Sequence, residues 1–126
     1  MSGKIKDIYG IKEADFFEKI RNSMEMKMGD YHGEVEYQCD HEFFIYDDLG
    51  STGSGSATGW RKEVIFDLIN TRYESGKPTV ITTNFTRNQV YTILGERTHS
   101  RLYAKENCMI DMWKYPDLRR AEASNS

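Results

Sequence analysis

Apolar residues fall along this chain in blocks whose spacing changes. Between residues 13 and 28, Phe16, Phe17, Ile20 and Met24 recur at helical spacing. Lys12, Glu18, Lys19, Arg21 and Glu25 lie mostly off that stripe, so the segment predicts an amphipathic helix. Before it, residues 4–11 read as the end of one element and a short strand. Residues 29–41 are polar, contain Gly29 and Gly33, and read as a loop with frayed helix at its start. Phe43, Phe44, Ile45 and Tyr46 then form an apolar run without alternation. Such a run predicts a strand buried on both faces, central in a parallel sheet.

The run stops at Asp47-Asp48-Leu49-Gly50, and residues 50–59 form a Gly/Ser loop inside one domain. Residues 60–75 give the clearest helix, with Val64, Ile65, Leu68, Ile69 and Tyr73 as its apolar stripe. Gly76, Lys77 and Pro78 stop it. Residues 79–83 are β-branched throughout and predict a buried strand. Thr86 is placed to cap a helix over 87–94, with Val90, Ile93 and Leu94 inward, and Gly95 breaks it. Residues 96–103 give another helical turn or two, and residues 108–113 read as a last strand. Strands alternating with helices, with unalternating apolar strands, predict an α/β fold: a parallel sheet covered by helices on both sides.

Length and composition set the frame for that fold. The chain has 126 residues and suits one domain with its own core. Residues 1–120 are expected to form it, with 121–126 as a disordered polar tail. Cys39 and Cys108, 69 positions apart, form neither a CxxC nor a metal spacing, which fits a reducing compartment. No apolar run approaches a membrane span, and the N-terminus lacks a signal-peptide core. The expected location is cytoplasmic. The net charge of −3 is uneven: residues 1–59 hold 6 Lys/Arg against 12 Asp/Glu, and residues 85–126 hold 7 against 5. The whole chain is therefore not a basic nucleic-acid binder, although its last third could offer a local anion site.

In open parallel sheets, ligands bind at the carboxyl ends of the strands. Asp47 and Asp48 end the first buried strand, and Asn84 ends the second. A carboxylate there suits Mg²⁺, and its neighbour could orient or deprotonate a water. A cation between them would relieve their repulsion; an Asx turn or cap at a strand end is the alternative. Asn84 could point a water at a phosphate or simply make a turn. Arg97 and Arg101, at i and i+4, project from one helix face, and an anion such as a phosphate, Glu96 or Glu106 would offset their repulsion. Arg119 and Arg120 form a second basic pair. The Gly/Ser loop is not a Walker A, because only three residues separate Gly55 from Gly59 and Trp60 stands where Lys is required. No HExxH or GxSxG is present. His32, His41 and His99 are separated and read as structural or exposed.

Taken in order, these segments resemble the bacterial and phage helicase-loader ATPases, the DnaC, DnaI and IstB-like group of AAA+ proteins. Residues 43–50, Phe-Phe-Ile-Tyr-Asp-Asp-Leu-Gly, look like its Walker B. Trp60, residues 65–73, residues 76–85 with Thr-Thr-Asn-Phe at their end, residues 94–102 and residues 115–120 are similar in turn. The resemblance runs from about residue 9 to residue 120. It implies a partial P-loop NTPase core using ATP and Mg²⁺ in DNA replication. Asp47 would be the Mg²⁺-linked acid, Asp48 the water-activating acid and Asn84 sensor 1. Arg101 would be the arginine finger, with Arg97 supporting it or the interface, and Arg119 or Arg120 would approach the sensor 2 role.

Implied partners are the replicative helicase, helicase-loader subunits in a homo- or hetero-oligomer, and single-stranded DNA. The family's first strand, Walker A loop and first helix have no counterpart in this sequence. A truncated or split ATPase that needs a partner to bind nucleotide is one reading. A non-catalytic protein that binds or inhibits an intact loader or helicase is the other, with an unrelated Mg²⁺ phosphohydrolase behind both. The absent strand is expected beside the strand of Asp47, leaving central sheet edges open.

Overall fold

Alternation along the strands decides which side of the sheet the helices take. The structure, a computed structural model, describes residues 7–53 and 59–110. In chain order its elements are β1 (Ile8–Lys12), α1 (Glu13–Met26), α2 (His32–Cys39), β2 (Phe43–Leu49), α3 (Gly59–Ser75), β3 (Thr79–Thr83), α4 (Arg87–Gln89), a π turn over Val90–Leu94, and α5 (Glu96–Leu102). The strands form one parallel sheet in the order β1-β2-β3. Tyr9 pairs with Phe44 and Ile11 with Tyr46, while Phe44 pairs with Thr79 and Tyr46 with Ile81. These residues share one face.

All the described helices gather on that face. Phe16, Phe17 and Ile20 of α1 join Phe44 and Tyr46 in one core with Val64, Ile65, Leu68 and Ile69 of α3, Val35 and Cys39 of α2, and Val90 and Leu94 of the π turn. The Phe16 ring meets Tyr46 edge-on at 5.5 Å. Each fully buried large apolar side chain of this kind stabilises the fold by about 1.5–3 kcal/mol. The opposite face holds Ile8, Gly10 and Lys12 of β1, Phe43, Ile45 and Asp47 of β2, and Val80 and Thr82 of β3. Ile8 is 64% exposed and Val80 43% exposed. The expectation of a sheet covered on both sides is thus met on one side only, among the described residues. An unalternating apolar run shows that both faces could be buried; it does not supply the second layer.

Other differences have local causes. Residues 32–39 form α2 where a loop was expected, because Val35, Gln38 and Cys39 bury a stripe too narrow to mark the sequence. Met28 and Gly29, with φ of 55° and 91°, turn the chain from α1 toward it. The expected helix over 87–94 starts as read: Thr86 and Gln89 form a reciprocal capping box. It then widens into the π turn. The expected strand over 108–113 is not formed at residues 108–110, and the rest of it lies outside the described residues, as do Arg119, Arg120 and the expected tail. The open edge also differs from expectation. β2 is paired on both sides, so among the described residues the unpaired edges belong to β1 and β3. No described helix is long and apolar enough to cross a membrane.

Candidate functional site

The parallel sheet brings the C-terminal ends of β2 and β3 together, and with them Asp47, Asp48, Thr82 and Asn84. The pairing slips between Tyr46 and Leu49, where Asp48 takes a left-handed conformation with φ of 64°. That irregularity turns Asp48 out to solvent while Leu49 returns to the core. Thr82 ties the pair down. Its hydroxyl donates to Asp47 Oδ1 at 2.5 Å and accepts from the Asp48 backbone N–H at 2.8 Å. Thr83 on the other face donates to the Leu49 carbonyl at 2.8 Å, which closes the same corner. Asn84 follows at the exposed end of β3, at the same rim of the sheet.

A buried carboxylate supports this rim from below. Glu13 opens α1 and is 1% exposed. Its Oε1 accepts from the Tyr46 hydroxyl at 2.8 Å and the Gly50 N–H at 3.0 Å. Its Oε2 accepts from the Thr52 N–H at 3.1 Å and the Thr52 hydroxyl at 2.7 Å. Four donors satisfy the group where water cannot. Burial, with Glu13 beside it, pushes the Tyr46 hydroxyl well above the usual tyrosine range. Arg61 completes the corner by donating to the Thr52 carbonyl at 3.0 Å. Gly50 has φ of 90°, and a Cβ there would lie 2.2 Å from the Phe85 ring. Phe85 therefore occupies the space that a side chain at 50 would need, which couples the turn after Asp48 to the loop after Asn84.

The two arginines of α5 lie on another surface and face α3. Arg97 donates to Glu63 Oε1 at 2.9 Å and stacks over Phe66 at 4.1 Å. Arg101 Nε donates to Asn70 Oδ1 at 2.7 Å, over the Tyr73 ring at 5.3 Å. They project from one helix face as read, but their partners differ from the acids suggested by sequence. Glu106 instead accepts from the Tyr73 hydroxyl at 2.8 Å. Arg97 is well exposed, so its pair with Glu63 contributes at most about 1 kcal/mol.

Arg72 is a further residue that the sequence reading missed. It is 2% exposed and replaces Tyr73 in the buried stripe of α3. It donates to the carbonyls of Cys39, His41, Glu42 and Pro78 and to the Thr79 hydroxyl, and lies over the Phe44 ring. Five acceptors, from the end of α2, the connection before β2 and the start of β3, make it the pin of the rim opposite the carboxylates. Near it His41 hydrogen-bonds the Asp7 carboxylate at 3.0 Å and stacks on Tyr9, holding the Asp7 carboxyl below its usual range. His41 thus has the structural role expected of it.

The arrangement can be set beside known proteins. The crystal structure of the DnaC helicase loader is similar to this chain, with a TM-score of 0.60 and 25% sequence identity. The similarity covers 79% of this chain and 57% of that one, so this chain corresponds to little more than half of the loader's length. No protein-family model and no curated protein sequence matches. A three-stranded parallel sheet, its helices and this likeness are consistent with a partial P-loop NTPase core, structurally related to a helicase loader.

Proposed function

We propose that this chain is part of a helicase-loader-type AAA+ unit, acting in DNA replication on a replicative helicase or on loader subunits. The observation that carries the reading is the joint one: likeness to the DnaC loader, with two acids and an amide at the ends of adjacent parallel strands. In this reading Asp47 is the Mg²⁺-linked acid, Asp48 activates water and Asn84 senses the γ-phosphate. Arg101 reaches a neighbouring subunit's nucleotide with Arg97 beside it, and Arg119 or Arg120 approaches the nucleotide from the C-terminal segment.

The residues present suit Mg²⁺ in one form. Thr82 engages one Asp47 oxygen and leaves the other for a cation. Among the described residues no three His, Cys, Asp or Glu side chains gather to hold a metal. Mg²⁺ carried on nucleotide phosphates, touching one carboxylate and water, fits that donor set. The phosphates need a cradle of backbone N–H groups and a lysine. That cradle comes from outside this 126-residue sequence, as further residues of the polypeptide or as another chain.

A second reading, a non-catalytic protein that binds or inhibits an intact loader or helicase, is favoured by the arginines: Arg97 and Arg101 are already held by Glu63 and Asn70. Titrating Mg·ATP into this chain, alone and mixed with an intact DnaC-type loader and its helicase, separates the two. The ATPase reading expects nucleotide binding by the mixture beyond that of the loader alone, lost on Asp47→Ala. The interaction reading expects association that Arg101→Ala weakens without a nucleotide effect. Absence of both nucleotide binding and association overturns both readings.

A further inference from the structure

We propose that the cleft between the π turn and α5 binds a nucleotide unit: a flat base carrying an amino group, together with its phosphate. The exposed Tyr91 ring would stack on the base, and Arg87 and Lys105 would hold the phosphate. None of Asp47, Asp48 and Asn84 lines this cleft. The site is therefore separate from the carboxylate rim and does not rest on the reading above.

The local helix geometry shapes the cleft. After the capping box at Thr86 the chain widens into the π turn, which sends Val90 and Leu94 into the core. Tyr91 is left 50% exposed on the outer side. Wide turns of this kind inside helices recur at functional sites. The Tyr91 ring meets His99 of α5 edge-on at 5.4 Å, and His99 leans on Tyr103 at 4.8 Å. The Arg87 guanidinium covers the Tyr103 ring at 4.7 Å. Four side chains thus make a continuous row that ends in an open aromatic ring. Tyr73, beneath Arg101, lines the same cleft, which measures about 410 Å³, the scale of a small-molecule site.

Charge selects the occupant. Arg61, Arg72, Arg97 and Lys77 each have an oxygen partner. Arg87 and Lys105 have none among the described residues, and Arg101 engages Asn70 through Nε alone. Cations with unused N–H groups therefore converge on one aromatic cleft. Glu96 and Glu106 line it as well. A simple anion would suit the cations and be repelled by these acids. An apolar ligand would strip water from both. A nucleotide of adenine or cytosine brings phosphate oxygens for the cations, a π face for Tyr91 and N–H donors for the carboxylates. That unit exists both as a free nucleotide and within a single strand of nucleic acid.

The probes are AMP and a short oligodeoxyadenylate, each titrated calorimetrically into the full chain with Mg²⁺ chelated. AMP is expected to bind with a Kd of about 1 mM or tighter and to shift the ring proton resonances of Tyr91, His99 and Tyr103. Those shifts in the wild-type chain locate the ligand without any substitution. Tyr91→Ala is expected to weaken binding by about fivefold or more, the loss of one stacked base. Arg87→Ala is expected to weaken it and to flatten its salt dependence. Tyr37→Ala removes a similarly exposed ring from α2 and is expected to change nothing. All three positions are exposed, so the variants should keep the wild-type urea midpoint. Oligonucleotide binding at least tenfold tighter than AMP assigns the site to a single strand, and a smaller difference assigns it to a free nucleotide; both support the proposal. No binding of either probe at about 5 mM overturns it, as does binding indifferent to Tyr91→Ala. Equal affinity for inorganic phosphate, or for thymidine monophosphate with its amino-free base, also overturns it. AMP binding here, without nucleotide binding by the mixture with an intact loader, supports this site and counts against the ATPase reading alone.

Discussion

Replacing Gly50 by Ala tests the coupling of the turn after Asp48 to the loop after Asn84. Two costs arise. A φ of 90° is left-handed, and a Cβ there costs about 1–2 kcal/mol. The new carbon would also lie 2.2, 2.3 and 2.9 Å from three atoms of the Phe85 ring, against the roughly 3.5–4.0 Å that carbon atoms prefer. The ring must move by more than an ångström, an overpacking cost of about 1–3 kcal/mol. Gly50→Ala should therefore destabilise by roughly 2–5 kcal/mol. With a urea slope of about 1–3 kcal/mol/M, the midpoint should fall by about 0.7 M or more.

Phe85→Ala alone should cost about 1–2 kcal/mol, because that ring is only partly buried. In the double variant the clash disappears and the backbone cost stays. The cycle should show about 1–3 kcal/mol of rescue relative to additivity. A Gly50→Ala shift under about 0.5 kcal/mol, or an additive cycle, would falsify the claimed contact.

Other expectations follow from the buried polar groups. Arg72→Met leaves four carbonyls and a hydroxyl without their donor and should cost about 3–5 kcal/mol in urea unfolding; a loss within about 1 kcal/mol would show that the pin is decorative. Glu13→Gln turns one acceptor into a donor aimed at groups that themselves donate. It should cost about 1–3 kcal/mol and speed amide exchange at Gly50 and Thr52, and unchanged exchange there would refute the role given to Glu13. Burial pushes the Cys39 thiol up to about 11 from 9.0. Its folded form holds a proton that the unfolded chain has released, so this contribution to stability is complete below pH 9 and is lost as pH rises toward 11. Cys39→Ala should flatten that alkaline slope by roughly 2 kcal/mol, and exposed Cys108 should react with a thiol reagent well before Cys39; an unchanged slope or equal reaction rates would count against the burial argument.

Local signals in the sequence were legible because local chemistry causes them. Thr86 caps its helix through Gln89 three residues on, and the β-branched run over 79–83 becomes β3. What escaped involves partners far apart in the chain. Glu13 looks like an ordinary acid in a first helical turn until Tyr46, Gly50 and Thr52 converge on it from more than thirty positions away. Thr82 looks like one more strand residue until the pleat sets it beside Asp47. Nearby acids were the natural partners to suggest for Arg97, yet its partner Glu63 comes from another helix. Arg72 has no carboxylate partner at helical spacing to betray it, because its acceptors are backbone carbonyls. The strand pattern located Asp47, Asp48 and Asn84 at the carboxyl ends of two strands, but it could not have joined Thr82 to them.

The bare face and the carboxylate rim are two aspects of one physical condition. Among the described residues no layer covers the side of β2 that holds Asp47, so water reaches it and Thr82 is a sufficient partner. Any layer that buries Ile45 and Val80 also removes water from around Asp47, and an ionised carboxylate in that setting needs a cation. Covering the face is favourable for the apolar strands and unfavourable for the acid beside them. A segment that brings apolar surface and positive charge together resolves both demands. A helix that brings only one of the two would leave either exposed apolar residues or a buried unpaired charge. Covering that face and binding a cation at Asp47 are for this reason expected to be thermodynamically coupled, each strengthening the other by the same factor.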